Sequence, residues 1–207
     1  MMLRIAAAVL IVVAYLASTA TTAVETYEAL VARAKEGDAA LDYRALREAY
    51  AQSAHYQPEG GDYDEPRTAM LDAFNAKECA KALIAADKVL NAIFIDIASH
   101  LVSGRCLEAA GDAAKAEFHR TIARGLMASI LASGSGKTPK TAFVVVTISE
   151  EYDVLTALRL KPALQSLVQA DGHSYDKQDV KSATGEAATV YFQIDRPMEW
   201  LSRSLRR

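Results

Sequence analysis

The strongest constraint on this chain is an internal echo. Ala80-Lys81-Ala82 returns as Ala114-Lys115-Ala116, and Val89 falls on Ala123, an offset of about 34 residues. That is the period of a tetratricopeptide helix pair, a unit that buries its apolar face only by stacking on a neighbour. In the second copy, Gly104 and Ala116 are the small residues that let paired helices approach closely, and Gly111-Asp112 supplies a helix stop followed by a cap. The first copy departs from the pattern, with Met70 at the position of Gly104 and Phe94 where a proline often closes the repeat. Two pairs are fewer than the three or so that a free-standing solenoid needs, so the rest of the chain must cover the exposed end.

The flanking segments supply that cover. Tyr27, Leu30, Val31 and Ala34 recur at helical spacing and Gly37 ends the stripe; Asp42 caps a second helix carrying Tyr43, Leu46 and Tyr50. Between His55 and Pro66 the breakers Pro58, Gly60, Gly61 and Pro66 predict a loop. After the Gly/Ser-rich turn, the apolar run Ala142 to Ile148 predicts a buried strand, and Ser149 caps a short helix with Glu150 and Glu151 at its positive end and Val154, Leu155 and Leu158 facing inward. Three strand-like runs follow Pro162: Leu164 to Ala170, which turns at Asp171-Gly172, then His173 to Lys181, which turns around Thr184-Gly185, then Thr189 to Asp195, with Val190, Phe192 and Ile194 on one face. Pro197 opens a last helix with Met198, Trp200, Leu201 and Leu205. The expected class is α+β: tetratricopeptide-like helical pairs over residues 24–132, then a small four-stranded mixed sheet with two helices over 133–207, packed together.

Residues 1–23 read as a signal peptide: Met1 to Arg4 with one positive charge, an unbroken apolar stretch from Ile5 to Ala17, and the small residues Ser18 to Ala23. Cleavage after Ala23 or after Ala20 satisfies the small-x-small rule. The apolar stretch falls short of the roughly 20 residues that a spanning helix needs, so no stable membrane span is expected after cleavage. The expected location is the periplasm or cell envelope. An oxidising compartment permits a disulfide between Cys79 and Cys106, and antiparallel packing of the helices brings these two positions to the same end; two buried free thiols are the other reading.

The candidate sites are few. The formal charge is -3, and removal of the leader, whose one charged residue is Arg4, leaves -4. Nucleic acid is therefore not an expected partner, since phosphate binding needs a concentrated basic face. Gly134-Ser135-Gly136-Lys137-Thr138 looks like a phosphate loop, but Leu131 stands where the first glycine belongs and the segment leads into a strand instead of a helix. Gly172-His173-Ser174-Tyr175-Asp176 likewise lacks the second glycine of a hydrolase nucleophile turn. No two of His55, His100, His119 and His173 have the spacing of a helical zinc site, and no cofactor motif survives its context. Alternation places His173 and Tyr175 on one face of a strand with Asp176 across; His119, His173, Tyr175 and Asp176 make a candidate polar site at the helix–sheet junction. Tyr43, Arg44, Arg47, Tyr50 and Tyr56 form the most interaction-like cluster, because tyrosine and arginine dominate binding hot spots where a groove desolvates them; on helical spacing Tyr43, Arg47 and Tyr50 share one side and Arg44 projects from another.

Taken together, Tyr27-Glu28-Ala29-Leu30, Asp42-Tyr43-Arg44-Ala45-Leu46-Arg47, Thr141-Ala142-Phe143-Val144-Val145, Glu150-Glu151-Tyr152, Gly172-His173-Ser174-Tyr175-Asp176 and Tyr191-Phe192 resemble a bacterial family of exported proteins catalogued as a domain of unknown function, numbered four-nine-one-nine. The resemblance implies a tetratricopeptide-like helical part joined to a small sheet, and it implies no activity. The sequence thus predicts an exported, non-enzymatic module that binds an envelope protein or peptide. A hydrolase or small-molecule binder using His119, His173, Tyr175 and Asp176 is the alternative.

Overall fold

The computed structural model describes residues 25–206, so the leader and both cleavage positions lie outside the described residues. Six helices come first: α1 Tyr27–Lys35, α2 Tyr43–Gln52, α3 Asp64–Asn75, α4 Cys79–Ala92, α5 Ile97–Ala109 and α6 Ala113–Leu131. Local signals set their ends. The Asp42 carboxylate accepts from the Arg44 and Ala45 amides at the start of α2, and the Asp112 carboxylate accepts from Lys115 N at the start of α6. Gly111 takes the left-handed conformation that stops α5, with φ at +83°. The loop ends earlier than expected, because α3 begins at Asp64 and holds Pro66 in its first turn, where a missing N–H costs nothing.

The helices pair as the echo requires. α3 packs on α4, α5 on α6, and α4 on α5. Ala82 and Ala116, equivalent in the two copies, are both fully buried. A Cβ on Gly104 would meet Arg120 Cγ at 3.2 Å and the Ala116 carbonyl at 3.4 Å, so the glycine sets the spacing of α5 and α6. Met70, Ala82, Ala86, Val102 and Cys106 fill the space between the pairs. Cys79 at the start of α4 and Cys106 near the end of α5 are joined as a disulfide, with their Cα atoms 5.2 Å apart.

The rest is a four-stranded mixed sheet with two helices. β1 is Phe143–Val144, α7 is Ile148–Ala157, β2 is Lys161–Ala170, β3 is His173–Lys181, β4 is Ala187–Gln193 and α8 is Asp195–Ser204. Strand order is β1-β4-β3-β2; β1 runs parallel to β4 and the other pairs are antiparallel. Asp171 and Gly172 both have positive φ, which makes the β2–β3 connection a two-residue hairpin turn closed by Ala170 and His173. Val190, Phe192 and Ile194 are buried on one face, as their alternation predicts. One apolar core runs from Tyr27, Leu46 and Tyr50 through Ile93, Ile122 and Leu126 to Phe143, Val154, Leu155 and Phe192, so the sheet closes the end of the helical array.

Four expectations need correction. The run Ala142 to Ile148 is buried, yet only Phe143 and Val144 pair as strand. Val145 N donates to Gln193 O and the ladder ends there, because β4 ends at Gln193 and the chain enters α8 at Asp195; the Val146 and Ile148 amides, on the other side of the segment, are taken by the Glu150 carboxylate and the Pro58 carbonyl. α7 begins at Ile148 with Thr147 as its N-cap, so Ser149 lies inside the helix, where its hydroxyl pairs with that of Thr147. Glu150 and Glu151 do sit at its positive end, but buried, whereas Leu158 faces solvent. The last helix starts at Asp195, two residues before Pro197.

Candidate functional site

Arg47, Tyr50 and Tyr56, read from the sequence as part of a binding cluster, are inside the protein. The Arg47 side chain is 4% exposed. Nε and Nη2 donate to the two Glu150 oxygens at 2.7 and 2.8 Å, Nη2 also donates to Val144 O at 2.8 Å, and Nη1 to Ser129 Oγ at 3.3 Å. Glu150 in turn accepts Val146 N at 2.8 Å. Burial works against the charge on Arg47, but the Glu150 carboxylate outweighs it and leaves the guanidinium above its usual pKa. This one pair ties α2, α6, the β1 segment and α7 together. Arg44, one turn away, is exposed.

Next to that pair lies a second buried carboxyl. Glu151 accepts from Gln178 Nε2 at 3.1 Å, while its Oε1 has no partner among the described residues. Burial first, and then the Asp176 carboxylate, push its pKa up to about 9, so it is a neutral acid at physiological pH. Asp176 accepts from Gln165 Nε2 at 2.6 Å. Asp153 is likewise held above the ordinary range, by burial and then by Asp96, against the pull of Arg67.

The four residues of the expected polar site do not come together. His119 pairs with His100 in the helical half, Nδ1 to Nδ1 at 2.9 Å, and His100 Nε2 lies 2.8 Å from Phe94 O. Since a carbonyl only accepts, His100 Nε2 carries the proton, its Nδ1 accepts, and His119 Nδ1 donates. Burial lowers both pKa values, that of His100 to about 4, and keeps the pair neutral. His173 instead contacts Asp195, Nδ1 to Oδ2 at 2.6 Å; the other Asp195 oxygen accepts Ser174 N, and Gln193 Nε2 donates to Oδ2. Tyr175 is buried beside the His173 ring, and Asp176 points to the opposite face toward Gln165 and Glu151. A hydrolase built on all four has no common place to act. His173 and Asp195 border an open pocket of about 740 Å³ with Arg203 and Arg206.

Tyr43 is where the sequence reading and a usable cavity meet. α6 carries Gly125 in mid-helix, and a Cβ there would collide with the Tyr43 ring, so the ring lies directly on the helix backbone. Beside it runs a groove of about 700 Å³ between the α1–α2 connection and α6. Ala34, Gly37, Phe118, Ile122 and Ala128 make its apolar walls, with Asp38, Glu117 and Arg124 at the rim. The rim charges are already engaged: Arg33 pairs with Asp38, and Glu117 with Arg120 and Arg124. Of the expected cluster, then, Tyr43 lines the groove, while Arg47 holds the core together. Phe118, Ile122 and Gly125 were not singled out from the sequence. The signal was the isolated glycine inside a strong helical pattern, which marks a close approach by another group.

Among the described residues, no helix is long and apolar enough to cross a membrane, and no group of three or more His, Cys, Asp and Glu side chains is arranged to hold a metal ion. No curated protein and no solved structure matches the chain. A family model described as a domain of unknown function (DUF4919) matches residues 18–203, nearly the whole chain. The chain belongs to the DUF4919 family.

Proposed function

We propose that this protein is an exported, non-enzymatic binding module of the periplasm or cell envelope, and that it captures a short amphipathic segment of an envelope protein in the groove beside Tyr43. The observation that carries this reading is the groove itself: apolar walls from α1 and α6, an aromatic ring packed against Gly125, and rim charges that already have partners. Such a site gains affinity from apolar side chains inserted by the partner, with little call on charge. Export is supported by the leader pattern and by the paired Cys79 and Cys106, which suit an oxidising compartment.

Thr121→Trp tests the binding site, because Thr121 is exposed on α6 along the groove and an indole there fills it without entering the core. The protein and the variant are each recovered from the envelope fraction of the native host, and the co-purifying proteins are identified by mass spectrometry. A partner retained by the natural sequence and lost with Thr121→Trp supports the reading; identical partner sets remove the groove from it. Export is tested separately by fractionation and amino-terminal sequencing, with the mature chain expected to begin at Val24 or Thr21.

A further inference from the structure

We propose that the free edge of β2 is the interface between two copies of this chain, which pair antiparallel about a two-fold axis through Leu167 to join their sheets. β2 is the edge strand of the sheet and is exposed along almost its whole length. Two of the seven large apolar side chains exposed among the described residues belong to β2, Leu164 and Leu167, 63% and 55% exposed and on opposite faces of the strand; a third, Tyr152 of α7, reaches Gln165 on the Leu167 face. From Leu164 to Ala170 the strand has no charge, no proline and no glycine. An uncovered edge of that composition pairs with another strand unless something blunts it.

The hydrogen-bond phase of the sheet identifies the groups that point outward. In a two-residue hairpin the pair flanking the turn is hydrogen-bonded, so Ala170 bonds His173, and every second residue back along β2, Val168, Ser166 and Leu164, bonds β3 in turn. The bond from Ile194 N to Ser174 O agrees, since it places the alternate residues of β3 toward β4. The amides and carbonyls of Gln165, Leu167 and Gln169 therefore face away from the sheet. That set is symmetric about Leu167. A two-fold there exchanges bonds between Leu167 and its copy, and between each Gln165 and the other copy's Gln169. Leu164 then faces Ala170, and Ser166 faces Val168.

Charge selects a second copy over a foreign strand. The start of β2 is basic, with Arg159, Lys161 and the adjacent Lys181, and its far end carries Asp171 in the turn. Antiparallel pairing lays each basic start beside the other copy's turn end, twice, where Asp171, Asp195 and Glu199 outnumber Arg203 and Arg206. Pro162 and the bulge between Pro162 and Leu164 end the pairable edge where the symmetric register ends.

The test uses the protein as its own host makes it, by sedimentation velocity across a concentration series. The natural chain is expected to sediment as a dimer at micromolar concentration. Leu167→Lys sets two ammonium groups face to face on the axis and should raise the dimer dissociation constant by about 100-fold or more; its far-ultraviolet circular dichroism spectrum should match that of the natural chain, and its thermal melt should match when both are diluted to monomer, because Leu167 is exposed. Leu167→Cys should cross-link under mild oxidation, since directly opposed residues of a hydrogen-bonded pair lie about 5.5 Å apart, within disulfide range. Leu164→Cys, which faces Ala170, should not. A monomer at every concentration, a dimer indifferent to Leu167→Lys, or equal cross-linking at both positions overturns the proposal. So does a monomeric chain that instead loses a foreign co-purifying strand on Leu167→Lys.

Discussion

Arg47 offers the sharpest test of how the two halves are held together. Truncation to alanine removes both bonds to Glu150 and those to Val144 O and Ser129, and leaves a carboxylate that is almost wholly buried with only the Val146 amide as partner. Breaking a buried pair by deleting one member costs about 3–5 kcal/mol, because the surviving charge is uncompensated. For a chain of this length each kcal/mol lowers the melting temperature by about 2–4 °C, so Arg47→Ala should melt roughly 6–20 °C lower. Urea unfolding followed by the fluorescence of Trp200, the one tryptophan, and by far-ultraviolet circular dichroism reads the free energy directly. Arg47→Met combined with Glu150→Gln should recover more than half of the loss, since a neutral amide still accepts the Val146 amide and no charge is stranded. Arg44→Ala, on the exposed side of the same helix, should stay within about 0.5 kcal/mol. A loss for Arg47→Ala under about 1 kcal/mol, the level of a surface ion pair, would show that the pair is solvated and that something else joins the halves.

The buried acid and the histidine pair give stability opposite pH dependences. With its folded pKa raised to about 9, Glu151 contributes stability that is complete below its ordinary value near 4.5 and is lost as pH rises toward 9; His100, depressed to about 4, contributes stability present above about 6.5 and lost as pH falls through 4. Stability should therefore peak in mildly acidic buffer and decline above neutrality, and Glu151→Gln should flatten the alkaline decline; an unchanged slope in urea titrations from pH 6.5 to 9 refutes the assignment. Cys79 and Cys106 close a loop with a sequence separation of 27, so on chain-entropy grounds replacing both with serine should cost about 3–4 kcal/mol. A thiol assay on the denatured native protein checks the bond first, and free thiols in the exported chain would remove it. Gly125→Ala forces the Tyr43 ring off α6, and calorimetry should show a loss of about 1–3 kcal/mol from overpacking; wild-type stability would mean that the ring does not lie there.

Local grammar made much of this fold legible. Asp42 and Asp112 cap helices because a carboxylate before a helical stripe bonds amides two or three residues on; Asp171-Gly172 turns a hairpin because both residues tolerate positive φ; and Val190, Phe192 and Ile194 bury one face because strands alternate. The small residues Gly104 and Ala116 gave away the close helix pair for a similar reason, since only a missing side chain permits that distance. Each of these effects acts within a few residues, or within one repeat.

What tertiary structure alone decided lies at long sequence range. Helical spacing puts Arg47 on the side of Tyr43 and Tyr50 and Arg44 on another, but what holds Arg47 in the core is Glu150, 103 residues away, which makes this arginine the clasp of the core while Arg44 stays in water. The seven-residue apolar stretch pairs over only two residues because its neighbour β4 ends at Gln193 and gives way to α8, while the same Glu150 carboxylate and the Pro58 carbonyl take the Val146 and Ile148 amides on its other side. His119, His173, Tyr175 and Asp176 share a chemistry but not a place: His119 pairs with His100 in the helical half, and on β3 alternation sends His173 toward Asp195 and Asp176 to the opposite face toward Gln165. Tyr43 became part of a groove only when Gly125, on a distant helix, came to lie beneath it. A buried polar group takes whichever partner packing delivers, and packing joins residues that the sequence keeps far apart.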